Sequence, residues 1–362
     1  MPCGLTSTDC FIHIGVNRYA RKQWTRSARD RSRACKRDVR RAVGVASASG
    51  ADLGKPRRSG PRLVSARSKL VTNRRWTMPS VRPRMNASFS TKEHVMGHAE
   101  VRELQIPKPI GGRLPEPPVF ASLDDERQHR KLKLAAAFRI FARFGLAEGI
   151  AGHITVRDPE FHDRFWVNPY AQHFSSVHPD DLVCIDEDAH VYHGTGPVNA
   201  AAAAIHCGIH GANPDVVAAA HTHTPFGRAF SARARLLAPL NQEACLFHED
   251  HVLFRGDVVV LATEEGRRIA QTMGTKRAAI LLNHGLLTVG SSVDAAAYRF
   301  IAMERCCQVQ LLAEAAGPIE PLSDEEAQAT RAQLGSDYVA WLGFQGLYQQ
   351  LLRDNPDLRE LA

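Results

Sequence analysis

"VVAAAHTHTPFG", residues 216–227, is the stretch that decides the fold. A short apolar run stops at His221-Thr222-His223 and then meets Pro225 and Gly227, the pattern of a buried strand closed by a turn. Successive side chains of an extended strand alternate faces, so His221 and His223 point one way and Thr222 the other. Two imidazoles on one side of a strand end are one ligand short of a metal site. Standing alone, the pair also reads as two hydrogen-bonded rings, so a third ligand elsewhere has to decide.

His284 supplies that candidate. It sits in "RAAILLNHGLLTVG" (277–290), a second strand-like run broken in the middle by Asn283-His284-Gly285. Gly285 lets the backbone turn sharply or pass close to something bound. Taken singly, His284 also reads as a satisfied core histidine. An H-x-H pair at one strand end and N-H-G at another together point to a metal.

The surrounding elements read outward from these two strands. "AAAAIHCGIHGANPDV" (201–216) is a helix closed by Gly211 and Asn213-Pro214. "SSVDAAAYRFIAMERCCQVQLLAEAAG" (291–317) is the clearest helix, with Ser291 and Asp294 at its start and Gly317 at its end. "SLDDERQHRKLKLAAAFRIFARFG" (122–145) starts with Ser122 and Asp125 in capping positions, repeats Leu134, Phe138 and Phe141 at helical spacing, and stops at Gly145. Runs at 153–158, 164–169, 182–186 and 190–194 predict an antiparallel meander, and 324–354 predicts two more amphipathic helices. No internal repeat is visible.

With 362 residues and 44% apolar content, the chain can bury one large core or two modest ones. No apolar run reaches the ~18 residues of a spanning helix, and no secretory signal opens the chain, so a cytoplasmic protein without a membrane partner is expected. Eight cysteines without framework spacing read as reduced thiols. The net charge of +8 divides unevenly: residues 1–92 carry 22 Lys+Arg against 4 Asp+Glu, leaving 24 against 34 for the rest. Residues 1–95 therefore read as a disordered basic extension. A mitochondrial transit segment, a nucleic-acid-binding arm and a start codon at Met78, Met85 or Met96 remain open there, and no nucleic-acid motif accompanies the charge. Residues 96–121 form a Pro/Gly-rich linker, 122–320 the main domain, and 321–362 C-terminal helices that pack on it.

"AHTHTPFG" (220–227) and "LLNHGLLTVG" (281–290), supported by "GIAGHITVRD" (149–158) and the helix containing Glu304, resemble the class II aldolase/adducin family. The resemblance implies an α/β fold, three-layer α/β/α around a mostly antiparallel central sheet, and a homotetramer with active sites near subunit interfaces. It implies His221, His223 and His284 as ligands of a divalent metal. Three neutral imidazoles leave open positions for substrate, and Zn, Fe(II) and Mn all suit the set. The family's sugar-phosphate aldolases carry an acid/base glutamate four residues before the helix histidine. Counting back from His206 gives Ala202, so sugar-phosphate aldolysis is not expected. Their G-N-I/V-S turn appears here as Gly152-His153-Ile154-Thr155. "FGLAEGIAGH" (144–153), "PVN" (197–199) with His206, and "EDH" (249–251) resemble instead the subgroup of aldolase-fold non-haem iron decarboxylase/oxygenases of aminocoumarin biosynthesis.

With alanine at 202, His248, Glu249, Asp250 and His251 are the candidates for proton transfer, presented by this subunit or a neighbour; a solvated turn is the plainer reading. His153, Asn168, His173 and His206 are candidate substrate-binding residues, with the loop's usual glycine replaced by Ala171. Glu304 is expected to pair within the core or across a subunit contact. The expected activity is metal-dependent cleavage of a carbon–carbon bond, as a lyase or oxygenative decarboxylase, in a small and optionally aryl-substituted hydroxy- or keto-acid. The alternative is a non-catalytic adducin-like interaction protein of cytoskeletal type.

Overall fold

The computed structural model describes residues 111–362, so the basic extension and the first part of the linker lie outside the described residues. The first helix, α1 (Leu123–Arg143), begins where the Ser122 hydroxyl accepts from the Asp125 N–H at 3.1 Å. Asp124, Asp125 and Glu126 in its first turn complement the helix dipole, and Gly145 turns the chain away at φ +70°. Leu134, Phe138 and Phe141 form its fully buried stripe.

Four short strands follow: β1 (His153–Arg157), β2 (Phe165–Val167), β3 (Val183–Ile185) and β4 (Val191–His193). All three successive pairings are antiparallel, as the meander pattern predicts. Next come α2 (Ala200–Ala212), β5 (Ala218–Thr222), the short α3 (Pro225–Ser231), β6 (His251–Phe254) and α4 (Thr263–Met273). The hairpin β7 (Ala278–Leu281) and β8 (Gly285–Gly290) leads into α5 (Val293–Ala316). Helices α6 (Asp324–Leu334), α7 (Asp337–Asp354) and α8 (Pro356–Arg359) complete the chain.

The strands form one eight-stranded sheet in the order β4-β3-β2-β1-β5-β8-β7-β6, antiparallel except for β6 with β7. Alternation along the strands sorts the core into two sides. Ile154, Val156, Ala218, Ala220, Ile280 and Leu286 face α1, α5 and α7. Ala219, Ala279, Leu281, Leu287 and Val289 face α2 and α4. The architecture is therefore three-layer α/β/α with a mostly antiparallel sheet. Runs of alanine at 218–220 and 295–297 let α5 lie close to the sheet; a Cβ on Gly290 would sit 2.7 Å from the Ala296 nitrogen.

Two details differ from the sequence expectation. The N-cap of α5 is Ser292 rather than Ser291, and Asp294 turns inward to bond buried Lys133 at 2.8 Å. Helix α2 runs through Gly211 and stops at Asn213, because the residue before a proline disfavours helical backbone. Among the described residues, no helix is long and apolar enough to cross a membrane. The five described cysteines are unpaired and buried, and burial pushes the Cys184, Cys207 and Cys306 thiols up to about 12.

Candidate metal centre

One end of the sheet gathers the histidines. β5 ends there, β8 begins there, and β1 pairs with β5 so that His153 lies opposite His221. His221 is fully buried on the last turn of β5's pleat, and its Nδ1–H donates to the Leu286 carbonyl at 2.8 Å. That bond sets the tautomer and leaves Nε2 with a bare lone pair. His223 follows two residues on, half-buried, before Pro225 opens α3. His284 lies in the three-residue turn between β7 and β8, where Asn283 takes the left-handed conformation at φ +55°. Gly285 is thus needed for close approach and not for the turn: its Cβ would lie 3.0 Å from the Thr222 carbonyl oxygen.

The three rings converge. Each offers one nitrogen, and these atoms all lie within 4.8 Å of one another. Their ring centroids are 4.6–5.1 Å apart. Burial holds all three imidazoles below the usual histidine range, His284 at about 4, so they are neutral donors at physiological pH. Nδ1 of His284 is buried without a hydrogen-bond partner. A buried orphan nitrogen beside two bare neighbours is costly in an apolar site and is what a divalent cation would satisfy. The donor set therefore fits a metal such as Zn, Fe(II) or Mn.

The remaining candidates fall into three groups. His153 and His206 lie on the same sheet face as His221, but both nitrogens of His206 are taken, Nδ1 by Thr155 and Nε2 by His153 at 2.6 Å. His206 is thus a partner of His153 and has no nitrogen left for substrate. Asn168 follows β2 at the site end of the sheet; its Oδ1 is buried without a partner. His173 caps the 3₁₀ turn Phe174–Ser176, accepting from the Ser175 N–H at 3.2 Å, and Ala171 keeps the glycine-like φ of +65°.

The cluster His248-Glu249-Asp250-His251 lies elsewhere. β6 runs parallel to β7 with His251 beside Ala278, so the cluster is at the end of these strands opposite His284. His251 is saturated, donating through Nδ1 to the Phe247 carbonyl and accepting from the Leu237 N–H at 2.9 Å. Asp250 pairs with Arg277 at 2.6 Å and Arg331 at 3.5 Å, the Glu249 carbonyl accepts from Lys276, and His248 stands 3.7 Å from Asp324. Within one chain these residues lock α6 onto the sheet edge and do not join the histidines. The solvated-turn reading fits the exposed Glu249 but not Asp250 and His251, which are buried.

Ala202 packs against Phe165 and Val183 in an apolar cluster, with no carboxylate in its place. Glu304 pairs within the core: it accepts from the Thr224 hydroxyl, the Phe226 N–H at 3.0 Å and the Gly227 N–H at 2.7 Å. Sequence reasoning missed Glu148 and Arg228, whose charged groups lie 3.8 Å apart and act on His223 with opposite signs. Nothing in their local sequence marks them; only the folding of 146–152 against the start of α3 brings them to His223.

Comparison with known proteins agrees with this fold. The family described as "Class II Aldolase and Adducin N-terminal domain" matches residues 132–311. A 4-hydroxy-3-prenylphenylpyruvate oxygenase/4-hydroxy-3-prenylbenzoate synthase of Streptomyces roseochromogenus subsp. oscitans is 48% identical over 249 residues, 68% of this chain and 90% of that protein. Decarboxylase NovR of Streptomyces niveus is 48% identical over 246 residues, 67% of this chain and 91% of its own. Among solved structures, L-fuculose 1-phosphate aldolase from Glaciozyma antarctica PI12 superposes with a TM-score of 0.63 at 38% identity, covering 67% of this chain and 95% of that one. The chain belongs to the class II aldolase/adducin family. Within it, the resemblance to decarboxylase/oxygenases holds, and the relatives at 48% identity are enzymes of that group.

Proposed function

We propose that this enzyme binds a divalent metal through His221, His223 and His284 and cleaves a carbon–carbon bond of a small aryl 2-keto or 2-hydroxy acid by oxygenative decarboxylation. The observation that carries the reading is the convergence of three neutral imidazoles, one with an orphaned buried nitrogen, in a chain without the aldolase glutamate. The two Streptomyces relatives, named for oxygenase and decarboxylase activities, support the reaction class. When bound, the ion supplies Lewis acidity toward substrate oxygens and, as Fe(II), reactivity with dioxygen.

The chain's own residues do the rest. Fixing His221 through the Leu286 carbonyl presents its lone pair without reorganisation. Arg228, half-exposed beside His223, offers a positive charge for the substrate carboxylate, and Glu148 tempers it. The apolar packing around Ala202 leaves no side-chain acid there, which disfavours retro-aldol proton transfer and favours a reaction in which loss of CO2 supplies the electron pair. The substrate is a small molecule, and a homotetramer is the assembly we infer from the family.

Elemental analysis of protein purified without chelator and without oxygen tests the site, alongside His284→Ala. Near-stoichiometric metal in the wild type, lost in the variant, is expected. Oxygen uptake and CO2 release by the iron-loaded enzyme with 4-hydroxyphenylpyruvate or a prenylated analogue test the chemistry, and neither product with any aryl 2-keto acid would sink it. Ala202 also favours a second reading, a non-catalytic adducin-like protein. Metal absent from both wild type and variant would be its signature.

A further inference from the structure

Four buried polar side chains on the sheet face that carries His221 form a line that the metal ligands do not use. His153 and Thr155 alternate along β1 and share that face; His206 and His210 are one turn apart on α2 and look back at it. His210 Nδ1 meets the Val216 carbonyl at 3.1 Å, and His210 Nε2 meets Thr155 Oγ1 at 2.9 Å. Thr155 Oγ1 also meets His206 Nδ1, and His206 Nε2 meets His153 Nδ1 at 2.6 Å. None of the four side chains is more than 2% exposed.

One carbonyl orders the whole line. A carbonyl only accepts, so His210 Nδ1 carries a proton. In a neutral ring Nε2 is then bare, and Thr155 must donate to it. The hydroxyl has one proton, so it accepts from His206 Nδ1–H. His206 Nε2 is bare in turn and accepts from His153 Nδ1–H. His153 is left with an unprotonated Nε2, and among the described residues that atom makes no hydrogen bond. The reverse order would require a charged His210, which burial and the Arg157 guanidinium oppose by pushing this imidazole down to about 3. Arg157 also donates to the carbonyls of His210, at 2.6 Å, and Val216, at 3.2 Å, and so anchors the far end.

We infer that Thr155, His206 and His210 are positioning residues that hold His153 as a hydrogen-bond acceptor beside the metal centre, so that this position selects a substrate hydroxyl or enol. An oxygen that can only accept, such as a carboxylate or a keto oxygen that cannot enolise, finds no donor there. His153 lies directly across from His221, with ring centroids 5.0 Å apart, so the accepting nitrogen borders the site. This gives the candidate substrate-binding role of His153 a chemical direction. The substrate half rests on the proposed function; the proton placement does not.

Neutron crystallography of the full chain tests the placement directly. Deuterium on Nδ1 of His210, His206 and His153, and none on His153 Nε2, is expected; deuterium on His153 Nε2 overturns the inference. Calorimetry on the zinc-loaded protein tests the selection with mandelate and benzoylformate, which differ only in a hydroxyl against a keto oxygen. The affinity ratio should favour mandelate, fall about five- to tenfold in Thr155→Val, where the line is cut, and recover in Thr155→Ser. A ratio that does not move in Thr155→Val, with zinc content unchanged, overturns the selection; should that variant not fold, the wild-type neutron map still decides the placement. Failure of both acids to bind a protein whose His153 Nε2 is bare would overturn the proposed function and the substrate half, and leave the positioning half standing.

Discussion

Glu304→Gln is the perturbation whose cost follows most directly from the structure. Glu304 is 2% exposed on α5, and its three donors, Thr224, Phe226 and Gly227, begin the turn immediately after His223. The carboxylate thus ties the strand end that bears two candidate ligands to the longest described helix. Thr224 and Gly227 share Oε2, and Phe226 takes Oε1. A glutamine can keep its oxygen at one of these places only, and its NH2 then faces a backbone N–H in the other. The best placement loses the Phe226 bond, worth about 1.5–3 kcal/mol when the acceptor is charged, and leaves a buried donor unsatisfied at a further ~1 kcal/mol or more. We therefore expect about 2.5–4 kcal/mol of destabilisation in guanidinium unfolding, and metal affinity about 10–100-fold weaker because the turn that places His223 is loosened. A Glu304→Gln protein within about 0.5 kcal/mol of wild type would refute the argument that this carboxylate organises the turn.

Other outcomes follow from the same geometry. Burial holds the structural imidazole of His251 at about 4, against about 6.5 when unfolded, so both states are neutral above pH 6.5 and only the unfolded chain takes up the proton just below it. Stability should fall from pH 6.5 toward pH 4 by up to ~1.4 kcal/mol per unit from this group, and His251→Gln should show a shallower slope than wild type in urea unfolding at pH 6.5, 5.5 and 4.5. Lys133 and Asp294, each 4% exposed at the side chain, form a buried pair. Asp294→Asn should cost about 3–5 kcal/mol, because it strands a buried ammonium, and Lys133→Met in that background should recover part of it in the same unfolding assay. Gly152 sits at φ +113° with the Thr222 Cβ 2.8 Å from where its own Cβ would be, so Gly152→Ala should lower the melting temperature and push β1 away from β5 at the histidines. A chelator added to metal-loaded protein should lower the wild-type melting temperature but not that of His284→Ala.

Much of the fold was legible because the signals are local. Ser122, the Leu134/Phe138/Phe141 stripe and Gly145 each act within a turn or two, and α1 runs where they place it. The strand pairings around His221 were legible for a different reason: an H-x-H pair and an N-H-G turn make chemical sense only if two strand ends meet. Less local features were misread. Asp294 occupies a capping-like position in sequence, yet Lys133, 161 residues away, claims it. The dense 248–251 cluster looks catalytic in one dimension because sequence adjacency concentrates charge; within one chain Arg277 and Arg331 engage Asp250, and the Phe247 carbonyl engages His251.

By itself the amino-acid sequence determined which residues could serve as ligands, the family, and the alternation of helices and strands, since periodicity, caps and ligand spacing are properties of short segments. Only the tertiary structure decided which polar groups are already engaged. His206 loses both nitrogens to β1, His153 keeps one bare, and Arg228 and Glu148 arrive beside His223 from separate segments. A side chain's chemistry depends on the donors and acceptors left over after folding, and those are set by contacts between residues distant in the chain.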